Sequence, residues 1–261
     1  MGIKRPLRQL LARFRRLKSF RLVFDSAIRI GASSGAVKYP VDINKEELSR
    51  KYIFDVVPAR AAGRLRFLDV GGRDGELTYL LGGVSPLSFD PAVQAANKKK
   101  FDAIYDYFGV DLHPAGPNIL HGDVCDVGFL ESYRDFQNSF DVVYSNNVFE
   151  HFARPWVAAE VLLALLKPGG ICITVVPFAQ RYHESPGDYF RYTHQGVPKL
   201  FEAAGPVEVL EAGYDIRARR YDWQGLGKAN DLVPTDRYGA WRETWFAVSV
   251  LKKLPRTGTE G

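Results

Sequence analysis

Between Leu68 and Gly75 the chain reads Leu-Asp-Val-Gly-Gly-Arg-Asp-Gly, an acid followed by Gly71, Gly72 and Gly75. Glycines between a strand and a helix let the backbone approach a ligand closely and adopt dihedrals that a Cβ would forbid. The acid beside them, Asp69, would repel a bound diphosphate and suits a ligand that carries an ammonium group. A plain tight turn, with Asp69 capping the next helix, is the alternative. The dinucleotide fingerprint GxGxxG is not met by GGRDG, which argues against an NAD-dependent oxidoreductase. A second group of reactive types lies downstream: His151 directly after Glu150, and His183, Asp188, Tyr189, Arg191, Tyr192 and His194 within RYHESPGDYFRYTH. An imidazole or carboxylate can take a proton from an acceptor near neutral pH, whereas local hydrogen bonding and ring packing are the structural alternatives.

The elements that must position these residues follow from periodicity. An apolar run over 64–70 ends at the glycines and is followed by helical spacing over 76–81, which is strand, turn, helix. Further strands are expected over 105–111, 118–121, 140–145, 171–176, 207–210 and 245–251, and helices over 157–166 and 193–204. Residues 86–90 could form another strand, while 91–101 looks helical, and Asp90 before Pro91 is a strong helix-start signal. Alternation of strands and helices implies a mostly parallel sheet covered on both faces.

In this order of motifs the chain resembles the class I S-adenosylmethionine (SAM)-dependent methyltransferases over roughly 64–213. The resemblance implies an α/β, Rossmann-like, doubly wound and mostly parallel seven-stranded sheet with helices on both faces, and SAM as cofactor. The family's first motif, an acid and spaced glycines, is matched by Asp69, Gly71 and Gly75, with Gly72 between them and Arg73 in place of the middle glycine. By the same resemblance Asp111 would bind the ribose hydroxyls, with Asp90 as fallback, and Leu112 would lie beside the adenine. Asp123 would accept from the adenine amino group, with Val124 alongside. The strand ending at Asn146 would line the methyl-donor pocket. The segments VFEHFARPW and LLKPGG resemble those of enzymes that methylate small metabolites. Methyl transfer to a hydroxyl needs a base, for which His151 is preferred and His183 is the alternative. A non-catalytic SAM-binding scaffold is the rival reading.

Composition sets the bounds. Of 261 residues, 46% are hydrophobic and 25% charged, which fits a folded chain with a sizeable core. The net charge of +5 is concentrated in the first 24 residues, which hold eight basic residues and no acid, leaving 27 basic against 30 acidic residues elsewhere. A basic catalytic domain, and with it a nucleic-acid substrate, therefore lacks support. Ile3, Leu7, Leu10, Leu11, Phe14 and Leu17 fall at helical spacing in that leader, so it reads as a basic amphipathic helix. Such a helix could lie on an anionic membrane surface, pack on the parent domain or bind a partner. The expected organisation is a leader and linker over 1–30, a methyltransferase domain over 40–254 and a loose tail over 255–261. A cytoplasmic location, peripheral on the inner membrane face, and a small-molecule or glycan acceptor are expected. Cys125 and Cys172 sit in no ligand spacing, so no metal site is expected.

Overall fold

The computed structural model describes residues 43–73, 77, 80–81, 90–180, 182–184, 186–215 and 245–256. The chain divides into two units, Met1–Pro40 and Val41–Gly261, and every described residue belongs to the second. The basic leader, Gly75, residues 86–89 and the last five residues lie outside the described residues.

Seven strands build one sheet: β1 (Leu65–Val70), β2 (Tyr105–Asp111), β3 (Ile119–His121), β4 (Phe140–Asn146), β5 (Leu166–Ala179), β6 (Val207–Asp215) and β7 (Trp245–Lys253). Their order is β3-β2-β1-β4-β5-β7-β6. Pairs among β3, β2, β1, β4 and β5 are parallel, whereas β7 runs antiparallel to both β5 and β6. The expected mostly parallel, doubly wound sheet is therefore present. Strand order reverses between β1 and β4, and in open α/β sheets ligands bind at such a reversal, outside the carboxyl ends of the strands. Those ends are level, since Val70 is in register with both Val110 and Ser145.

The period of two along each strand sorts side chains into two cores. Leu68, Val70, Val110 and Val143 join one face, where α3 (Phe129–Ser132), α4 (Pro155–Leu165) and α5 (Gly196–Ala204) pack. Leu65, Phe67, Val142 and Tyr144 join the other, with α1 (Lys45–Lys51), the helical turn Tyr52–Val56 after it and α2 (Pro91–Ile104). Phe67 is wholly buried there, a burial worth about 1.5–3 kcal/mol against exposure. Asn44 caps α1 by accepting from the Glu46 and Glu47 N–H groups, both at 3.1 Å. Asp90 caps α2 by accepting from Ala92 at 2.8 Å and Val93 at 3.3 Å, as the Asp-Pro pair indicates.

Two elements are longer than periodicity suggests. β5 begins at Leu166 rather than at Ile171, because the Lys-Pro-Gly-Gly stretch stays extended and is absorbed as a bulge opposite Phe140 and Val142, with Gly169 at φ +83°. β6 continues to Asp215 rather than stopping at Leu210, held by its antiparallel pairing with β7. Conversely, α5 starts at Gly196 instead of Thr193, whose hydroxyl accepts the Gly196 N–H at 3.0 Å and forms a turn before the helix.

Candidate active site

A cleft of about 590 Å³ opens along the carboxyl ends of the strands. Its walls include Gly71 and Arg73 after β1, Asp111 to His113 after β2, Gly122 to Cys125 after β3, and Asn147, Val148 and His151 after β4. Phe152, Ala153, Pro186 and Tyr189 close the remaining side. Its size lies within the range of small-molecule and cofactor sites.

The β1 turn depends on its glycines at two points. Gly71 has φ +79°, and a Cβ there would stand 2.7 Å from a Val148 methyl. A Cβ on Gly72 would stand 2.5 Å from the Tyr107 hydroxyl and 2.6 Å from Asp69 Oδ2. Asp69 itself is 8% exposed and accepts a hydrogen bond from Tyr107 Oη at 3.0 Å. It is absent from the cleft wall, because alternation along β1 turns Val70 to the cleft side and Asp69 to the opposite face. In this structure the Asp69 carboxylate lies close beneath Gly72 and is held there by Tyr107. Gly75, the last glycine of the motif, lies outside the described residues.

Asp111 and Asp123 each accept the N–H two residues on, His113 at 2.7 Å and Cys125 at 2.7 Å, which folds both strand ends into tight turns. Asp111 uses Oδ1 in this way, and its Oδ2 has no hydrogen-bond partner among the described residues. Leu112 is 39% exposed beside it, an apolar surface left open at the cleft, while Val124 is buried. Burial raises the Cys125 thiol to about 11, so it is a neutral lining group. Asp90, bound to its cap, lies outside the cleft lining.

At the end of β4 two asparagines stand in succession. Asn147 lines the cleft, not Asn146, whose side chain borders a small cavity with Lys45, Glu46 and Tyr144. The cause is the left-handed backbone of Asn147, φ 56°, which turns the chain sharply at the strand end. Asparagine is the non-glycine residue best suited to that conformation, and the pair Asn146-Asn147 was the available signal. His113 and Cys125 line the cleft without a motif to mark them; each stands two residues after an aspartate at or just past a strand end, whose side chain accepts its N–H.

His151 closes a one-turn helix, Phe149–His151, and lines the cleft. Its Nδ1 lies 2.5 Å from the Gly187 carbonyl oxygen, which can only accept, so Nδ1 donates, and in the neutral ring the lone pair is then on Nε2. His183 is outside the cleft lining but adjoins His151, ring centre to ring centre 5.0 Å. Between them lies Glu150, wholly buried, with Oε1 3.7 Å from His151 Nε2 and 3.8 Å from His183 Nε2. Burial raises the Glu150 carboxyl to about 7. The structure thus brings together two histidines 32 positions apart and an acid, with one ligand atom of each within 4.8 Å of the others, a grouping that spacing along the chain did not indicate. Behind His183, Asp188 is clamped by two hydrogen bonds from Arg191, and these hold its carboxyl well below the usual range.

The model of the family described as "Methyltransferase domain" matches residues 13–217. The chain belongs to that family. With the seven-stranded sheet, this makes it a class I SAM-dependent methyltransferase, whose cofactor is SAM. Among curated proteins no sequence matches. Solved structures similar to this methyltransferase include a chain of the complex containing the Haloferax volcanii Trm112 methyltransferase activator, 19% identical, with a TM-score of 0.45 over 81% of this chain and 92% of that one. The YcgJ protein from Bacillus subtilis is 12% identical, with a TM-score of 0.46 over 81% and 98%. Phosphoethanolamine N-methyltransferase 2 of Haemonchus contortus, solved with S-adenosyl-L-methionine, is 14% identical, with a TM-score of 0.46 over 85% and 55%. Among the described residues no helix of this methyltransferase is long and apolar enough to cross a membrane.

Proposed function

We propose that this methyltransferase carries a methyl group from SAM to the hydroxyl of a sugar, a lipid-linked glycan or a small metabolite. The layout of the cleft is the observation that carries the reading. Carboxylates and the exposed Leu112 border it at β2 and β3, the glycine turn at β1, and His151 and Tyr189 on the far side of β4. When bound, SAM supplies an electrophilic methyl on a positively charged sulfur, open to in-line displacement.

The residues fit that cofactor. Asp111 Oδ2 is available to accept from the ribose hydroxyls. Leu112 and Val124 offer apolar contact to the adenine, and Asp123 accepts from its amino group. Gly71 and Gly72 allow the backbone close to the amino-acid end, where Arg73 supplies a cation for the carboxylate. The acceptor hydroxyl gives up its proton at the His151 and His183 pair, beside the cleft. Tyr182 and Tyr189, 63% and 58% exposed, offer amphipathic ring faces to the acceptor. The basic and apolar residues of 1–24, spaced in the sequence as on an amphipathic helix, would hold the protein to the inner face of an anionic membrane, which favours an acceptor made at or near a lipid surface.

Calorimetric titration with SAM and NADH, followed by a labelled-methyl assay on extracts divided into soluble, lipid and glycan pools, tests the proposal. One saturable SAM site, no NADH binding and label in a hydroxyl of the lipid, glycan or small-metabolite pool are expected. SAM binding without transfer to any pool would instead favour the non-catalytic scaffold.

A further inference from the structure

The Glu150, His151 and His183 cluster is arranged as a set of lone-pair donors. Both carboxylate oxygens of Glu150 are buried and accept no hydrogen bond, although the side chain has no exposure to water. A carboxylate in that position normally has a partner, because leaving a buried polar group unpaired costs free energy. The two groups nearest Oε1 are His151 Nε2 at 3.7 Å and His183 Nε2 at 3.8 Å, too far for hydrogen bonds.

The far nitrogen of the His151 ring is held by a hydrogen bond, and that of His183 faces a carboxylate. His151 Nδ1 donates to the Gly187 carbonyl, and His183 Nδ1 lies 3.6 Å from Asp188 Oδ2. Metal-binding histidines are oriented in this way, with the second ring nitrogen turned to a carbonyl or carboxylate. We propose that Glu150 and the Nε2 atoms of His151 and His183 bind one divalent first-row transition-metal ion at the edge of the cofactor cleft. This deepens the functional reading, and the part of it that concerns the acceptor rests on that reading.

Donor atoms about 2.0–2.2 Å from an ion stand roughly 3.4 Å from one another in a tetrahedral site. All three donors already lie within 4.8 Å of one another, so side-chain rotation can close the set. Two imidazoles favour zinc, cobalt, nickel or iron over magnesium and calcium, which prefer oxygen. Three protein ligands leave a coordination position open, and an acceptor hydroxyl bound there would lose its proton to water at lower pH; with both Nε2 atoms ligating, the two histidines would then act on the acceptor through the ion in place of taking the proton directly. The nearby Arg191 charge is offset by Asp188.

The full chain, freed of metal with a chelator, should be titrated with Co²⁺, Zn²⁺ and Mg²⁺ by calorimetry, with the visible absorbance of Co²⁺ as a second readout. One equivalent of Co²⁺ or Zn²⁺ and no saturable Mg²⁺ binding are expected. Glu150→Gln and His183→Gln should each weaken Co²⁺ by more than the roughly 10- to 100-fold typical of an outer-partner loss. His183 is partly exposed, so its variant keeps the test valid even where a change at buried Glu150 impairs folding. His121→Gln, an exposed change away from the cluster, should leave binding unaltered. Absence of a saturable site, or equal affinity in wild type and His183→Gln, overturns the proposal. Neither readout uses SAM or acceptor, so Co²⁺ binding supports the ion site whichever pool is methylated, and its absence overturns the site while methyl transfer stands.

Discussion

Asp111 divides its carboxylate between two tasks, one oxygen holding its own turn and the other available to the cleft. Asp111→Asn keeps the turn acceptor and removes the charge, so SAM affinity measured by calorimetry should fall by about 10- to 100-fold, the worth of a charge-assisted hydrogen bond at ~1.5–3 kcal/mol. Asp90→Asn should leave SAM affinity unchanged, because Asp90 serves the end of α2. His151→Ala should slow methyl transfer by about 10²- to 10⁴-fold while SAM affinity stays nearly constant. Undiminished turnover with the true acceptor would remove His151 from the reaction. At this scale residue types were legible and orientation was not. Asn147 and not Asn146 is among the residues lining the cleft, and Asp69 lies under the glycine turn, since each depends on which side of a strand or turn a side chain leaves.

The turn after β1 and the strand beside it are built as one element. Gly72→Ala forces a methyl against the Tyr107 hydroxyl and the Asp69 carboxylate, and should destabilise the fold by about 1–3 kcal/mol in urea melts, with weaker SAM binding. Adding Tyr107→Phe removes the nearest clashing atom and should recover part of the loss, a coupling that a double-mutant cycle would measure. A second element-level device joins β7 to α4. The buried Lys253 amine donates to the carbonyls of Leu163 and Leu166 at 2.7 and 2.6 Å, and to Asn138 Oδ1 at 2.7 Å. A cation there satisfies carbonyls that the helix end leaves unpaired and complements its dipole. Lys253→Met should therefore lower the urea midpoint by an amount equal to about 1–3 kcal/mol while SAM affinity holds. Element identity was largely readable from periodicity, but the role of Lys253 was not, because its partners come from a loop, a helix and a strand far away in the chain.

Over the whole molecule, charge and catalysis are separated along the sequence. The first 24 residues contain the positive excess, and the rest of the chain has slightly more acids than bases. Deleting residues 1–24 should weaken flotation with anionic vesicles in a salt-sensitive way, each basic residue near such a surface being worth about 1 kcal/mol. Equal flotation of the truncated and full chains would refute the membrane reading. The sheet order places the carboxyl ends of β1, β2 and β4 level at the reversal point, which is why motifs spread from Gly71 to His151 border a single cleft. Fold class, strand sequence and the glycine turn were determined by local pattern alone, since apolar period and turn chemistry act over a few residues. The meeting of Glu150, His151 and His183 was decided only by tertiary structure. The segment after β5 folds back on the turn after β4, where the Tyr189 and Phe190 N–H groups bond to the Glu150 carbonyl, and no spacing along the chain encodes that return.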